Sequence, residues 1–119
     1  MSDLANLFIW QRDNVVVAGV TGEIDVSNAA ELERAVSAEV ARETAGLVMD
    51  LGGLEFMDSS GIHMLFHLAR RLQRRGLGFA LVLPEDSTPR RVLELSGPHP
   101  RGWIHPTEEA AIAAVLAAA

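Results

Sequence analysis

Short apolar runs alternate with helix-patterned segments along most of this chain, and that alternation limits its fold more than any other feature. The β-branched run Val15–Thr21 and the apolar runs Leu47–Leu51 and Phe79–Leu83 are separated by stretches whose apolar residues recur every three or four positions. Strands separated by helices form parallel sheets, because the crossover helix returns the chain to the same end of the sheet. The sequence therefore predicts an α/β fold.

The individual elements follow from local patterns. The run Leu7–Gln11, a turn at residues 12–14 and the run Val15–Thr21 predict an N-terminal hairpin. The predicted order is ββαβαβαβα, with a mostly parallel sheet of four to five strands, an antiparallel N-terminal strand and about four helices. The helices are expected from Ala29 to near Gly46, from about Ser59 to Arg75, from Thr88 and Pro89 to a stop at Gly97, and after a cap at Thr107; a brief last strand is expected around Trp103 and Ile104.

The length of the chain indicates a single domain. A chain of 119 residues that is 49% hydrophobic can bury a core without disulfides or a structural metal, and it contains no Cys. We expect one domain over residues 1–119 with a core of about residues 7–117. Since the sequence begins with no signal-peptide pattern and has no apolar run of membrane-spanning length, we expect a cytoplasmic protein without membrane insertion.

The charged residues exclude several kinds of function. All ten basic residues are Arg, so chemistry that needs a lysine amine is excluded, and the absence of Cys excludes thiol chemistry. The net charge is −6 and the pI is about 5.1, which argues against direct binding of nucleic acid. The charge is uneven: residues 1–60 hold 3 Arg and 11 acidic residues, whereas residues 61–119 hold 7 Arg and 5 acidic residues.

Candidate functional residues are expected in the loops that follow the parallel strands, because ligands and partners of such sheets meet that edge. In one of these loops Asp58, Ser59 and Ser60 directly begin a predicted helix. Each residue type is a good N-cap, so one interpretation is purely structural. The other is that a serine hydroxyl is displayed at the positive end of a helix, where a phosphate would be accepted. The loops concerned are Gly22–Ser27, Gly52–Gly61 and Pro84–Ser87.

The same loops carry a resemblance to a known family. The segments VTGEIDVSNAAEL and VMDLGGLEFMDSSGI, followed later by RRVLELSG and TEEAAIAAV, resemble the STAS domain, specifically the bacterial anti-sigma factor antagonists. The resemblance implies that the unmodified chain binds a serine-kinase anti-sigma factor and so frees a sigma factor. It further implies that the kinase phosphorylates the serine directly after the Asp, here Ser59, that the modified protein no longer holds the kinase, and that a serine phosphatase restores it.

The resemblance also implies roles for the neighbours of Ser59. Asp58 and Asp25 would shape the phosphoacceptor site, while Ser60 and Gly61 would begin the helix packed behind it. No cofactor is implied, because ATP would belong to the kinase. We expect the partner to contact Asp25, Asp58, Ser59, Ser60, Gly61 and His63.

The helix after the motif departs from the family, in which small residues are usual at positions such as His63 and His67. His63, His67, Arg70 and Arg74 share one helical face. Three interpretations are a solvated face, a docking face for an acidic partner, and a metal-binding pair at the two histidines.

A metal site on this face would need at least one more ligand. The other histidines are His99 and His105, in a region expected to be distant, and there is no Cys. We therefore predict no metal site.

The sequence argues against two other classes of protein. Ser59 and His63 are one helical turn apart, but there is no G-x-S-x-G elbow, and a catalytic base normally comes from a different loop, so no enzyme is predicted. A receiver domain would require a Lys, and the chain has none. The alternative within the family is a STAS adaptor that does not switch, such as a component of a stress-signalling scaffold or a cytosolic subunit of a lipid-transport ATPase.

Overall fold

A computed structural model describes residues 4–41, 43–96 and 102–118, which form one sheet with helices on both faces. None of the helices in these ranges is long and apolar enough to cross a membrane. The strands are β1 (Ala5–Arg12), β2 (Val15–Ile24), β3 (Gly46–Asp50), β4 (Leu54–Met57), β5 (Gly78–Val82) and β6 (Ile104–His105). The helices are α1 (Ala29–Glu39), α2 (Ser59–Arg74), α3 (Thr88–Leu95) and α4 (Glu108–Ala118).

The sheet is mostly parallel, as predicted. Its strand order is β1-β2-β3-β5-β6, and β4 pairs with β2 beyond the end of β3. The pair β1–β2 is antiparallel and every other pair is parallel. Asp13 and Asn14 form the turn of the β1–β2 hairpin with φ of 53° and 67°, the positive values that a two-residue hairpin turn of type I′ requires. The predicted α/β class and N-terminal antiparallel strand are confirmed.

The strand count was underestimated. The described residues hold six strands in the order ββαββαβαβα, because β4 lies inside the segment Gly52–Gly61 that was predicted to be a loop. Leu54 and Met57 are buried while the two residues between them are exposed, so this four-residue strand has no two-residue apolar period. β4 exists because β2 continues past β3 and pairs with it at Gly22 to Ile24, with a shift of register between Gly22 and Glu23.

The helix boundaries differ slightly from the predicted ones. α1 ends at Glu39, before the expected end near Gly46, because the backbone of Val40 is already extended. α2 ends at Arg74 and is followed by Gly76 with φ of 72°, a left-handed conformation that Gly adopts without strain.

The last two helices have side-chain caps. Ser87 caps α3 by accepting a hydrogen bond from the backbone N of Arg90 at 3.3 Å, one residue before the expected cap. The expected stop at Gly97 lies outside the described residues. Thr107 caps α4 as predicted, since its Oγ1 accepts a hydrogen bond from the N of Ala110 at 3.2 Å.

The core lies in two layers, one on each face of the sheet. Along β2, alternate side chains point to opposite faces: Val16, Ala18 and Val20 pack with α1, α2 and α3, whereas Val15 and Val17 pack with α4. Burial on both faces explains why the central strands are continuous apolar runs. α1 and α2 begin at the edge of the sheet where β2 and β4 end, because each helix follows one of these strands in the chain.

Candidate functional site

The ends of β2 and β4 bring two acidic residues to one edge of the sheet. Ile24 and Met57 are paired in the parallel β2–β4 ladder, and the backbone N of Asp58 donates a hydrogen bond to the carbonyl O of Ile24 at 3.2 Å. Asp25 and Asp58 directly follow these paired residues. The structure therefore brings together two of the three loops that the sequence marked as candidate sites, Gly22–Ser27 and Gly52–Gly61.

Asp58 is the N-cap of α2. Its backbone is extended, and its Oδ1 accepts a hydrogen bond from the backbone N of Ser60 at 2.8 Å. The carbonyl O of Asp58 accepts hydrogen bonds from the N atoms of Gly61 and Ile62 at 3.1 and 3.2 Å. Because the carboxylate satisfies the end of the helix, neither serine is needed as a cap.

Ser59 is the first residue of α2 and is exposed. Its hydroxyl has no hydrogen-bond partner within residues 4–41, 43–96 and 102–118. Ser60 is half-buried, and His63, one turn further along, is exposed. The free hydroxyl thus stands at the positive end of a 16-residue helix, within reach of a second protein chain.

Asp25 is held by a closed loop before α1. Its Oδ1 accepts hydrogen bonds from the N and the Oγ of Ser27 at 2.8 and 2.5 Å. Asn28, which is 1% exposed, accepts a hydrogen bond from the N of Asp25 at 3.0 Å and donates one to the carbonyl O of Glu23 at 2.9 Å. Sequence reasoning did not identify Asn28 as a site residue, because many helices follow a polar residue that has no role beyond the helix start.

Gly61 allows α2 to pack closely on the end of the sheet. It is buried, and a Cβ at this position would lie 2.3 Å from the Cγ of Met57 and 3.2 Å from the Cγ2 of Ile24. Met57 and Ile24 are themselves fully buried. The absence of a side chain at Gly61 therefore sets the distance between the start of α2 and the two strands.

The edge around Ser59 is acidic. Asp58 directly precedes Ser59, Asp25 follows the end of β2 that pairs with β4, and Glu55 lies on β4. In the described part of the chain, no Arg or His nitrogen lies within 4.0 Å of their carboxylates. Residues Pro84–Ser87 form a turn at the start of α3, in which Ser87 Oγ donates a hydrogen bond to the carbonyl O of Pro84 at 2.9 Å.

The two histidines of α2 do not form a metal site with other residues that the structure describes. His67 Nδ1 lies 3.5 Å from Glu33 Oε1 on α1, and no cluster of three or more His, Asp or Glu side chains suited to a metal occurs in the described ranges. His99 lies outside those ranges.

A second polar cluster lies on the α4 face of the sheet. Glu108 Oε1 accepts hydrogen bonds from Trp10 Nε1 at 3.3 Å and from Arg12 Nη1 at 3.1 Å. Asp50, at the end of β3, accepts a hydrogen bond from the N of Gly52 at 3.0 Å. Burial raises the pKa of Asp50, the hydrogen bond from Gly52 opposes the rise, and the neighbouring Glu108 carboxyl adds to it.

A comparison with protein families matches residues 9–111 to the model of the STAS domain. The chain belongs to the STAS domain family. The matched residues make up most of the chain and include both acidic loops and the start of α2. The resemblance that the motifs indicated is thereby confirmed.

Individual relatives of this STAS domain carry related names. The anti-sigma-F factor antagonist RsfA of Mycobacterium tuberculosis is 33% identical over 116 residues, which cover 96% of this chain and 90% of RsfA. The crystal structure of an anti-sigma factor antagonist from Mycobacterium paratuberculosis is 32% identical, with a TM-score of 0.75 and 94% of each chain covered.

The Bacillus protein SpoIIAA is also similar and has been solved in two states. It is 25% identical to this STAS domain in both. The unphosphorylated form has a TM-score of 0.75 and covers 94% of this chain and 97% of its own; the phosphorylated form has a TM-score of 0.68 and covers 91% and 97%.

Proposed function

We propose that this chain is an anti-sigma factor antagonist controlled by phosphorylation of Ser59. In its unmodified form it binds a serine-kinase anti-sigma factor and thereby releases the sigma factor; phosphate on Ser59 ends the binding, and a serine phosphatase restores it. The observation that carries the proposal is the exposed hydroxyl of Ser59 at the N-terminus of α2, which forms no hydrogen bond with any residue that the structure describes. The names of the relatives support the antagonist function.

The electrostatics of the site explain how one phosphate could end binding. A phosphoserine carries about −1.5 to −2 charges at neutral pH. At Ser59 it would join Asp25, Glu55 and Asp58, at an edge where no described cation lies within 4.0 Å of those carboxylates. A partner surface that fits a neutral hydroxyl would have to bury that charge unpaired.

The expected size of the effect is large. Leaving a charge unpaired in an interface costs about 3 to 5 kcal/mol, which lowers affinity by roughly two to four powers of ten. No refolding is needed, because the added group sits on the surface at a helix end that Asp58 already caps. A small, rigid domain is therefore sufficient as a switch.

The neighbouring residues have separate roles in this proposal. Asp58 caps α2, Gly61 lets the helix approach the sheet, and Asp25 forms the adjoining rim. Ser60 and His63 contact the partner. The chain acts in the cytoplasm, has no catalytic activity of its own and needs no cofactor, since the kinase supplies the ATP site.

The test is to mix the chain with candidate serine-kinase anti-sigma factors and ATP, and then to map phosphopeptides by mass spectrometry. We expect a complex with one of them and phosphate on Ser59, retained in Ser60→Ala and lost in Ser59→Ala. Phosphate on Ser60 alone, or no complex with any such kinase, contradicts the proposal. A partner that binds the chain without ever phosphorylating it would indicate a non-switching STAS adaptor.

A further inference from the structure

A continuous groove runs between α1 and α2, beside the proposed phosphorylation site. It consists of three depressions of about 240, 180 and 340 Å³. The first and second share Glu33 and His67, and the second and third share Arg71 and Arg74. The groove therefore extends from the N-terminal turn of α2, next to Ser59, to the C-terminal end of that helix.

The end of the groove near Ser59 is partly apolar. It is lined by Val26, Ala29, Ala30 and Met64, together with polar residues of α1 and α2. Val26 is 82% exposed, so its apolar side chain is accessible to another molecule. This end can accept an apolar side chain of a partner.

The other end of the groove carries a basic patch. Arg71 Nη1 donates a hydrogen bond to Ser37 Oγ at 3.3 Å, and Arg75 Nη2 donates one to the carbonyl O of Val40 at 3.0 Å, so two guanidinium groups reach from α2 to α1. A guanidinium group has five N–H donors, and Arg71 and Arg75 each use one of them in these bonds. The patch consists of Arg70, Arg71, Arg74 and Arg75, all of them exposed.

The basic patch has no acidic partner in the described part of the chain. Among the described residues that line the groove, Glu33 is the one acidic residue, and its Oε1 lies 3.5 Å from His67 Nδ1. None of the four guanidinium groups lies within 4.0 Å of a carboxylate oxygen of a described residue. The helix dipole favours cations at this end of α2, but it leaves the remaining N–H donors unused. In a chain of net charge −6 with 16 acidic residues, this separation leaves a cationic surface for carboxylates of another molecule.

We propose that this groove docks an acidic segment of the protein partner that binds at Ser59, with carboxylates on the basic patch and an apolar side chain beside Val26. The inference rests on the proposed function and adds that the partner presents an acidic segment to the groove. Arg binds carboxylates through paired hydrogen bonds, which suits the patch to Asp and Glu side chains.

The basic patch lies far from Ser59 along the groove, so docking and phosphorylation involve different parts of α2. Ser59 and Arg70, the arginine of the patch nearest to it in the helix, are 11 residues apart, which corresponds to about 16 Å. Salt screens the charge of a phosphate on Ser59 from the patch over that distance. The arginines therefore contribute to partner choice and association rate both when Ser59 is unmodified and when it is phosphorylated. A nucleic acid or an anionic membrane is disfavoured, because a polyanion that filled the groove would also meet the carboxylate of Glu33.

The test compares association rates with the anti-sigma factor that binds the wild-type chain, at low and at physiological ionic strength. The test variant is Arg70→Ala/Arg71→Ala/Arg74→Ala, and the control is Arg91→Ala, an exposed arginine on α3 outside the groove. We expect the triple variant to associate roughly tenfold more slowly at low salt, with a weaker salt dependence, because steering by complementary charge is lost. The control should match wild type.

The outcomes distinguish failure of the docking inference from failure of the proposed function. Equal rates and salt dependence for the triple variant and wild type would overturn the docking inference and leave the switch at Ser59 standing. A loss of affinity without any change in salt dependence would also overturn it, since the arginines would then act through packing. If the wild-type chain bound no anti-sigma factor, both proposals would fail. Thermal unfolding of each variant checks that the fold is retained.

Discussion

The carboxylate of Asp58 lies 2.8 Å from the backbone nitrogen of Ser60, and this bond spans the residue between them, Ser59. The helix end is satisfied by the acid, so the hydroxyl of Ser59 is left exposed. Asp58, Ser59 and Ser60 are equally good helix caps by residue type, but they have different roles in the fold. Stability and signalling at this helix end can therefore be separated by mutation.

Ser59→Ala should leave the fold intact and abolish the switch. The Ser59 hydroxyl bonds to no described group, so we expect a change of less than about 0.5 kcal/mol in the free energy of unfolding. The variant should bind the kinase even in the presence of ATP, as isothermal titration would show. Ser59→Asp and Ser59→Glu should weaken binding only in part, because each adds a single charge.

Asp58→Ala should destabilise the protein by about 1 kcal/mol, the usual cost of losing an N-cap. Asp58→Asn keeps an acceptor for the N of Ser60 and should retain most of the stability. Urea denaturation of the two variants measures the difference. Equal losses would show that the charge of Asp58, rather than its hydrogen bond, stabilises the start of α2.

Gly61→Ala should destabilise the protein by about 1 to 3 kcal/mol, since the added methyl group would overlap the buried side chain of Met57. Ser60→Ala is the neighbouring control, and it should change the free energy of unfolding by about 0.5 kcal/mol or less. Thermal unfolding of both variants is the measurement. A Gly61→Ala variant as stable as wild type would show that α2 does not depend on this close contact.

Asp50→Asn should stabilise the protein at neutral pH. Because burial and Glu108 raise the pKa of Asp50 above 3.8, the folded state disfavours the ionised carboxylate, and the free energy of unfolding falls as the pH rises from 3.8 through the folded pKa. The amide is neutral and can still accept a hydrogen bond from Gly52. The gain should therefore be present at pH 7 and vanish below pH 3.8, as melting temperatures across this range would show. The exposed control Asp86→Asn should show no such gain, and an equal gain at both pH values would contradict the assignment.

Much of the fold could be predicted from local patterns, whereas β4 could not. The residues Leu54–Met57 lack alternation and follow two glycines, so their sequence is that of a loop. They form a strand because β2 extends beyond β3 and offers a free edge, and that edge is visible only once the sheet is assembled. This missed strand is the element that places Asp58 beside the end of β2.

The candidate site also has features that local patterns predict and others that depend on how the elements pack. The position of Ser59 at a helix start follows from the sequence, because the cap and the apolar period of α2 are local signals. The bonds of Asn28 to Glu23 and Asp25, and the groove between α1 and α2, depend on how elements pack. A helical wheel places arginines on one face of α2, but it cannot show that α1 brings Glu33 into the same groove, where its carboxylate lies within 4.0 Å of His67 and of none of these arginines.

The most direct test of the switch is a comparison of affinities for the kinase anti-sigma factor between the unmodified chain and the chain phosphorylated at Ser59, measured by isothermal titration. The account predicts that the phosphate weakens binding by roughly two to four powers of ten. Equal affinity of the two forms would contradict it, and Ser59 would then be an exposed serine at the start of a helix that Asp58 caps.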